Sequence, residues 1–338
     1  VIKDILKKVT GNQNLTREEA RTTFNEIMDG ALSPSQIGGL LTALKVKGET
    51  IEEILGAAES MREHAITIKT NKTHLIDTCG TGGDSASTFN VSTLAAIVAA
   101  GAGVALAKHG NRSVSSHCGS ADLLEALGVK IDLPPAKVEK CINEIGIGFL
   151  YAPNFHPAMK YAAPTRKELG FRTIFNLLGP LTNPAQAQSQ LIGVYDVSLS
   201  KIFAQVLKEL GTKHAIIVHS DDNLDEFSVS SATNVVELKA GAIKEYVLTP
   251  EQFGFTRAHF SSLVSKNLEE NRQIALAVLQ NKATSNQRDI ILFNSGAAIY
   301  VGGLASSIED GIKIARTTLE SGKAYAKLQE LINFTNKE

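Results

Sequence analysis

The sequence predicts an α/β protein: a small all-helical unit followed by a larger unit built on a mostly parallel central sheet flanked by helices. Three observations carry that prediction. Residues 1 to about 66 hold only helical signals, and from about residue 74 short apolar runs alternate with helical stretches. Polar residues then gather in the loops that follow three of those apolar runs. Strand–helix–strand alternation implies parallel strands with helices on both faces. In such sheets ligands bind beyond the carboxyl ends of the strands.

The helical unit is punctuated by its caps. Thr16 with Glu19 makes a capping box, after which Ala20, Phe24, Ile27 and Met28 recur at helical spacing. Ser33-Pro34 opens the next helix, with proline where its missing N–H does no harm. Thr50 with Glu53 is a second capping box, leading Ile51, Ile54, Leu55, Ala58 and Met61 along one face. Beyond it "HLID" reads as a strand, "VSTLAAIVAA" as a helix, "VALA" as a strand and "SADLLEALGV" as a helix. "PAKVEKCINEIG" is a predicted helix and "GFLYA" a strand, and "QLIGVYD", "LSKIFAQVLKELG" and "HAIIVHS" repeat the strand–helix–strand unit. "NVVELKAGAIKEYVLT" alternates around Ala240-Gly241-Ala242, which predicts an antiparallel excursion. The tail returns to helices in "NLEENRQIALAVLQN" and "GIKIARTTLESGKAYAKLQELIN".

Composition narrows the class. The 338 residues are 43% hydrophobic and 20% charged, ordinary values for a globular protein with a sizeable core. A net charge of −1 provides no basic field, so neither nucleic acid nor a membrane surface is an expected partner. Cys79, Cys118 and Cys141 form no disulfide or zinc pattern, and "VIKDILKKVT" carries charges every few residues, unlike a signal peptide. Both point to the cytoplasm. Ser85 to Ala107 holds no charged residue, yet its alanines, glycines and crowded hydroxyls read as a buried helix and strand, not a membrane span.

Three loops carry chemistry. The first, Cys79-Gly80-Thr81-Gly82-Gly83-Asp84, lets backbone N–H groups approach an anion, and the helix start at Asn90-Val91-Ser92-Thr93 offers more, with Thr88 nearby. A sharp strand-to-helix turn is the plainer reading of its glycines. The second, "KHGNRSVSSHCGSAD" (residues 108 to 122), packs Lys108, His109, Asn111 and Arg112 ahead of Ser113, Ser115, Ser116 and Ser120. Lysine is a point charge for phosphate and arginine binds it bidentately, so this loop supplies the charge that the first lacks. The third, "HSDDNLDEFS", sets four carboxylates within six residues at a strand end. Oxygen ligands of this kind suit Mg²⁺ bridging to substrate phosphates; an acidic surface turn is the alternative. Between the loops, Arg166 and Arg172 read from chemistry alone as surface salt-bridge partners, and His156 as structural. Cys79 and Cys118 read as packed thiols.

Taken together these motifs resemble the anthranilate phosphoribosyltransferase family of tryptophan biosynthesis, over essentially the whole chain. "GTGGD", "NVST", "KHGNRSVSS", "GSADLLEALGV", "HPAMKYAAPTRKELGFRTIFNLLGPLTNP" and "LDE" carry the resemblance. It implies a nucleoside phosphorylase/phosphoribosyltransferase-like fold with a helical domain of residues 1–70, joined by part of 160–185, and an α/β domain of 71–338. It implies that the amine of anthranilate displaces diphosphate from 5-phosphoribosyl 1-diphosphate (PRPP). Gly80, Gly83, Asp84, Thr88, Asn90, Val91, Ser92 and Thr93 would hold PRPP with Lys108, His109, Gly110, Asn111, Arg112, Ser113, Val114, Ser115, Ser116 and Ser120. Ser92, Asp225 and Glu226 would bind Mg²⁺, as two ions, and Gly80, Asn111 and Arg166 would contact anthranilate. Lys108 and Arg112 would stabilise the leaving group, with His109 as a further candidate for catalysis. A homodimer is also implied.

Ser85, Ser220 and Asn223 stand where the family pattern has glycine; the asparagine can hold a left-handed turn in its place. Two rival readings remain at this stage. One is a pyrimidine nucleoside phosphorylase, which shares the glycine loop; the other is a non-catalytic phosphometabolite-binding protein.

Overall fold

In a computed structural model, which describes residues 2–83, 87–113 and 118–337, the helical signals and the strand runs fall where their caps and periods put them. Asp84, Ser85, Val114, Ser115 and Ser116, all named above, lie outside the described residues. The helix Arg17–Met28 is closed by the expected box: Glu19 N–H donates to Thr16 Oγ1 at 3.2 Å and Thr16 N–H to Glu19 Oε2 at 2.8 Å. Ser33 and Thr50 cap Pro34–Lys47 and Ile51–Glu63 in the same way. Glu53 is also fully buried, and the Lys47 ammonium meets it at 2.9 Å.

Seven strands form one sheet among the described residues: β1 (Leu75–Gly80), β2 (Ala105–Gly110), β3 (Ile147–Tyr151), β4 (Ser189–Gly193), β5 (His214–Ser220), β6 (Thr233–Lys239) and β7 (Ala242–Leu248). Their order is β3-β2-β1-β4-β5-β6-β7; β1 to β5 run parallel, while β6 and β7 return antiparallel through the expected hairpin. Ala240 and Gly241 both take positive φ at its turn, 50° and 79°, as a two-residue hairpin needs. The chain winds outward one way through β2 and β3, then restarts on the other side of β1 with β4. That reversal makes the ends of β1 and β4 the topological switch point, the crevice where such sheets bind ligands.

Alternation along the strands decides which face each residue serves. Ile216 and Val218 of β5 point into a core shared with the helices Val91–Gly101, Ser285–Val301 and Ile308–Glu320. Ala215 and Ile217 point to the opposite face, where the helix Leu199–Glu209 and the N-terminal helices pack. Residues of the 160–185 stretch join that second core: Phe175 meets Phe24 edge-on at 5.5 Å, and Arg62 Nε donates to Leu181 O at 2.8 Å.

Two helical features differ from expectation. Ser285–Val301 forms a long helix that amphipathic spacing did not indicate, and its residues from Ile290 to Ile299 are buried without a break. The last predicted helix is divided into Ile308–Glu320 and Lys323–Asn336 by Gly322, at φ 75°. Among the described residues no helix is long and apolar enough to cross a membrane; the charge-free run holds Val91–Gly101 and β2, both largely buried.

Candidate active site

The crevice begins with two glycines. Gly80 ends β1 and Gly193 ends β4, and the two are in register. A Cβ on Gly80 would collide with Asp225 Oδ2, and one on Gly193 with the Asp225 backbone carbonyl, and would lie 2.9 Å from the Asp225 Cβ. Their missing side chains are the space Asp225 occupies. Gly82 and Gly83 follow at φ 65° and 82°, and Gly82 N–H donates to Asp225 Oδ2 at 3.2 Å. Gly193 was not singled out from sequence, because its role depends on a carboxylate distant in the chain.

The loop returns through Thr88, which bridges to Val264, to the N-terminus of the helix Val91–Gly101. There Ser92 N–H donates to Glu226 Oε1 at 3.1 Å. The first loop, this helix start and the acidic loop therefore meet beyond the carboxyl ends of the strands. Lys108 joins them from β2: its ammonium binds the Thr78 carbonyl and lies 3.4 Å from Ser92 Oγ. Lys108 is 4% exposed, and burial lowers its pKa against the opposing pull of Asp77. Asp77 is itself raised by burial while it accepts from His109 N–H at 3.1 Å and Asn183 Nδ2 at 2.7 Å.

His109 is buried, with Nδ1 3.2 Å from the Gly179 carbonyl and its ring centroid 5.0 Å from that of His156. Burial, and secondarily His156, push it down to about 3, and burial brings His156 to about 4. His109 is therefore neutral at physiological pH and holds no proton to deliver as an imidazolium. Asn111 Oδ1 accepts the Arg112 N–H at 2.8 Å, and the Asn111 carbonyl accepts from Ser120 Oγ at 3.4 Å. Gly110 and Gly119 sit where a Cβ would strike Ser120 and the 111–113 backbone. The Arg112 guanidinium is 3.1 Å from Asp122 and 2.8 Å from Glu125, which hold its pKa above the ordinary value. Asp122 also accepts the N–H groups of Ser113 and Gly119, at 3.0 and 2.9 Å.

The acidic loop separates into two pairs. Asp222 accepts from Ser220 Oγ at 2.6 Å, Ser228 Oγ at 2.7 Å and the Ser230 hydroxyl, and Asp221 from Asn234 Nδ2 at 2.9 Å. These two shape the turn. Asn223 takes φ 65° there, the left-handed residue expected in place of glycine, while Ser220 is buried with its N–H on the Leu224 carbonyl. Asp225 and Glu226 alone turn toward the glycine loop and the helix start. Among the described residues no group of three or more His, Cys, Asp or Glu side chains forms a metal site. The Asp225 and Glu226 carboxylates, on the N–H groups of Gly82 and Ser92, still fit Mg²⁺, an oxygen-seeking ion that takes one or two carboxylates and completes its shell with water and substrate phosphate.

Neither bridging arginine is a salt-bridge partner among the described residues. Arg166, on the helix Ala163–Leu169, lies 5.2 Å above the Phe175 ring, and burial lowers its pKa. Arg172 stacks 4.1 Å from the Tyr195 ring centre and donates to the Gly83 carbonyl. Burial pushes the thiols up, Cys118 to about 12 and Cys79 well above its ordinary value, as packed cysteines require.

Comparison with known proteins identifies the family and fold. Residues 72–325 match the glycosyl transferase family a/b domain and residues 3–65 its helical bundle domain. The anthranilate phosphoribosyltransferase of Alkaliphilus metalliredigens is 49% identical over 337 residues, covering 100% of this chain and 99% of that protein. The crystal structure of the Thermus thermophilus anthranilate phosphoribosyltransferase superposes with a TM-score of 0.93 at 42% identity, over 98% of this chain and 99% of the other. The Saccharomyces cerevisiae enzyme, in complex with PRPP and Mg, matches at a TM-score of 0.89 and 29% identity, over 99% and 97% of the two chains.

Proposed function

The chain belongs to the anthranilate phosphoribosyltransferase family, and from that premise we propose how its residues divide the work. The enzyme transfers the phosphoribosyl group of PRPP to the amine of anthranilate, releasing N-(5-phosphoribosyl)anthranilate and diphosphate, in tryptophan biosynthesis. PRPP lies across the β1–β4 crevice. Gly80, Gly83, Asp84, Thr88 and Asn90 to Thr93 take one side of it, and Lys108 to Ser116 with Ser120 the other. The observation that carries this reading is the meeting of Asp225 with the glycine loop and of Glu226 with the helix N-terminus.

Negative charge grows on the diphosphate as its bond to C1 breaks. Lys108, fixed beneath Ser92, and the preorganised N–H groups of the helix start stabilise that charge without reorganising. Ser92, Asp225 and Glu226 would hold Mg²⁺, as two ions, which when bound would supply charge neutralisation for the leaving diphosphate. Arg112 contributes from the rim, positioned by Asp122 and Glu125. The aromatic amine of anthranilate is unprotonated at neutral pH, so no strong base is needed, and neutral His109 serves as wall and hydrogen-bond partner. Gly80, Asn111 and Arg166 receive anthranilate, Arg166 facing its carboxylate. Placement and leaving-group stabilisation then account for the rate.

A helical domain of residues 1–70, joined by part of 160–185, hinges on the α/β domain of 71–338 and excludes water on closing. The enzyme works as a cytoplasmic homodimer. One assay tests the reading: anthranilate fluorescence followed with PRPP and Mg²⁺ present. Loss of signal only with all components supports it. Thymidine phosphorolysis in its place, or PRPP binding without turnover, would replace it with the phosphorylase or the binding protein.

A further inference from the structure

Asn90 stands at the N-cap of the helix Val91–Gly101, yet its side chain makes no cap hydrogen bond. An asparagine there ordinarily accepts an N–H of its own helix's first turn, a contact worth about 1 kcal/mol. Here the amide is drawn elsewhere. Asn90 Oδ1 accepts from Asn271 Nδ2 at 2.8 Å, and Asn90 Nδ2 donates to the Cys118 carbonyl at 3.2 Å. The Asn90 backbone N–H in turn donates to Asn271 Oδ1 at 3.3 Å. Asn271 is fully buried on the helix Leu268–Leu279, and its remaining amide hydrogen goes to Ser265 Oγ at 3.3 Å.

The polarity of this chain of bonds is forced. A backbone N–H can only donate, so Asn271 must present Oδ1 to it and Nδ2 to the Asn90 side chain. Asn90 must then answer with Oδ1, which leaves its Nδ2 for the Cys118 carbonyl. One buried amide thus sets the orientation of a second, and the second spans from the helix start to the loop that carries Lys108 and Arg112.

We propose that Asn271 is a positioning residue for PRPP: it holds the Asn90 amide away from its own helix, so that this side chain does not join Glu226 in claiming first-turn N–H groups, and aligns the two anion loops. Without it, Asn90 Oδ1 swings back to an ordinary cap and competes with phosphate for the same donors. Affinity for PRPP then falls while the helix, now conventionally capped, loses little stability. The inference rests on the assignment of Asn90 to Thr93 to PRPP.

The test uses the full chain with Asn271→Ala and Asn271→Asp. The aspartate is nearly isosteric but replaces the donor with an oxygen, so it reverses polarity without opening a cavity and covers the case in which alanine fails to fold. Glu53→Gln, which breaks the buried ion pair with Lys47, shows what destabilisation alone does. KM for PRPP should rise about tenfold in both Asn271 variants, the scale of one buried hydrogen bond lost, and KM for anthranilate should stay within about twofold. Glu53→Gln should lower the melting temperature without moving KM for PRPP. Unchanged KM for PRPP in the folded Asn271 variants, with the wild type turning over, overturns this inference alone. Parallel rises in both KM values, matched by Glu53→Gln, also overturn it. A wild type that makes no product from PRPP and anthranilate removes the underlying assignment as well.

Discussion

Arg166→Ala is the sharpest perturbation of the acceptor site. The guanidinium lies over the Phe175 ring at 5.2 Å and is partly withdrawn from water, which lowers its pKa. Among the described residues no carboxylate pairs with it, in contrast to Arg112 with Asp122 and Glu125. A desolvated cation without a partner is poised for an anionic ligand, and anthranilate brings one carboxylate. A hydrogen bond to a charged group contributes roughly 1.5–3 kcal/mol, and each 1.4 kcal/mol is about tenfold in affinity. Removing Arg166 should therefore raise KM for anthranilate roughly 10- to 150-fold and leave KM for PRPP within about twofold.

Stability should respond in the opposite proportion. Alanine loses a cation–π contact of about 0.5–1 kcal/mol but also removes a partly buried charge, so the melting temperature should fall by no more than a few degrees. Arg166→Lys keeps the charge without the fork and should lie between the two. Steady-state loss of anthranilate fluorescence at saturating PRPP and Mg²⁺, then the converse titration, separates the KM values. Competition by benzoate, which has the carboxylate and no amine, should weaken by the same factor as KM for anthranilate. Equal rises in both KM values, or benzoate inhibition unaltered by the substitution, would refute the reasoning.

Asp225→Asn and Glu226→Gln should each raise the Mg²⁺ concentration for half-maximal activity by about tenfold or more, since a divalent ion loses a charged ligand; an unchanged titration would sink the metal role. Gly193→Ala should do the same although Gly193 carries no side chain to bind anything, because the new Cβ displaces Asp225; wild-type Mg²⁺ dependence in the folded variant would contradict that. Far from the crevice, Glu237 accepts from His214 and Tyr300 at 2.8 Å and Tyr246 at 2.9 Å, and these bonds outweigh its burial and bring it to about 2 from an ordinary 4.5. A depressed carboxyl stabilises the fold above its unfolded pKa and loses that contribution as pH falls through the folded one, here roughly 3 kcal/mol between about pH 5 and 2. Urea denaturation of Glu237→Gln should show a less stable protein at pH 7 and a flatter fall below pH 5; curves parallel to wild type would falsify the linkage.

What the sequence made legible is what local chemistry decides. Thr16, Ser33 and Thr50 announce their helices because a cap and its partner lie within one turn. Strands β1 to β5 show because each is a short apolar run beside a helical one. The helix Ser285–Val301 did not show, because burial from Ile290 through Ile299 leaves it no polar face and hence no period to read. In the site, glycine and charge located the loops, but pairing lay outside their reach. Charge and spacing do not distinguish Asp221 and Asp222, consumed by Ser220, Ser228, Ser230 and Asn234, from Asp225 and Glu226, which turn to the glycine loop and helix start; only the family resemblance of "LDE" separates them. Gly193, Asn271 and the His109–His156 contact depend on partners brought close only by the fold.

The pairing explains why a phosphate cradle can do without the lysine of a P-loop. In that motif a lysine inside the glycine loop meets the phosphate directly. Here Gly82 N–H and Ser92 N–H, two of the donors a phosphate would take, are bound to the carboxylates of Asp225 and Glu226. A bare phosphate approaching these groups meets negative charge as well as N–H groups, while Lys108 is tied to Thr78 and Ser92 and Arg172 to the Gly83 carbonyl. Asp225 and Glu226, were they to hold a divalent cation, would present less negative charge and could release the N–H groups they hold. With the metal held as proposed, the acidic pair would make phosphate binding conditional on it and would favour a magnesium-bound diphosphate over free phosphate at the same glycines.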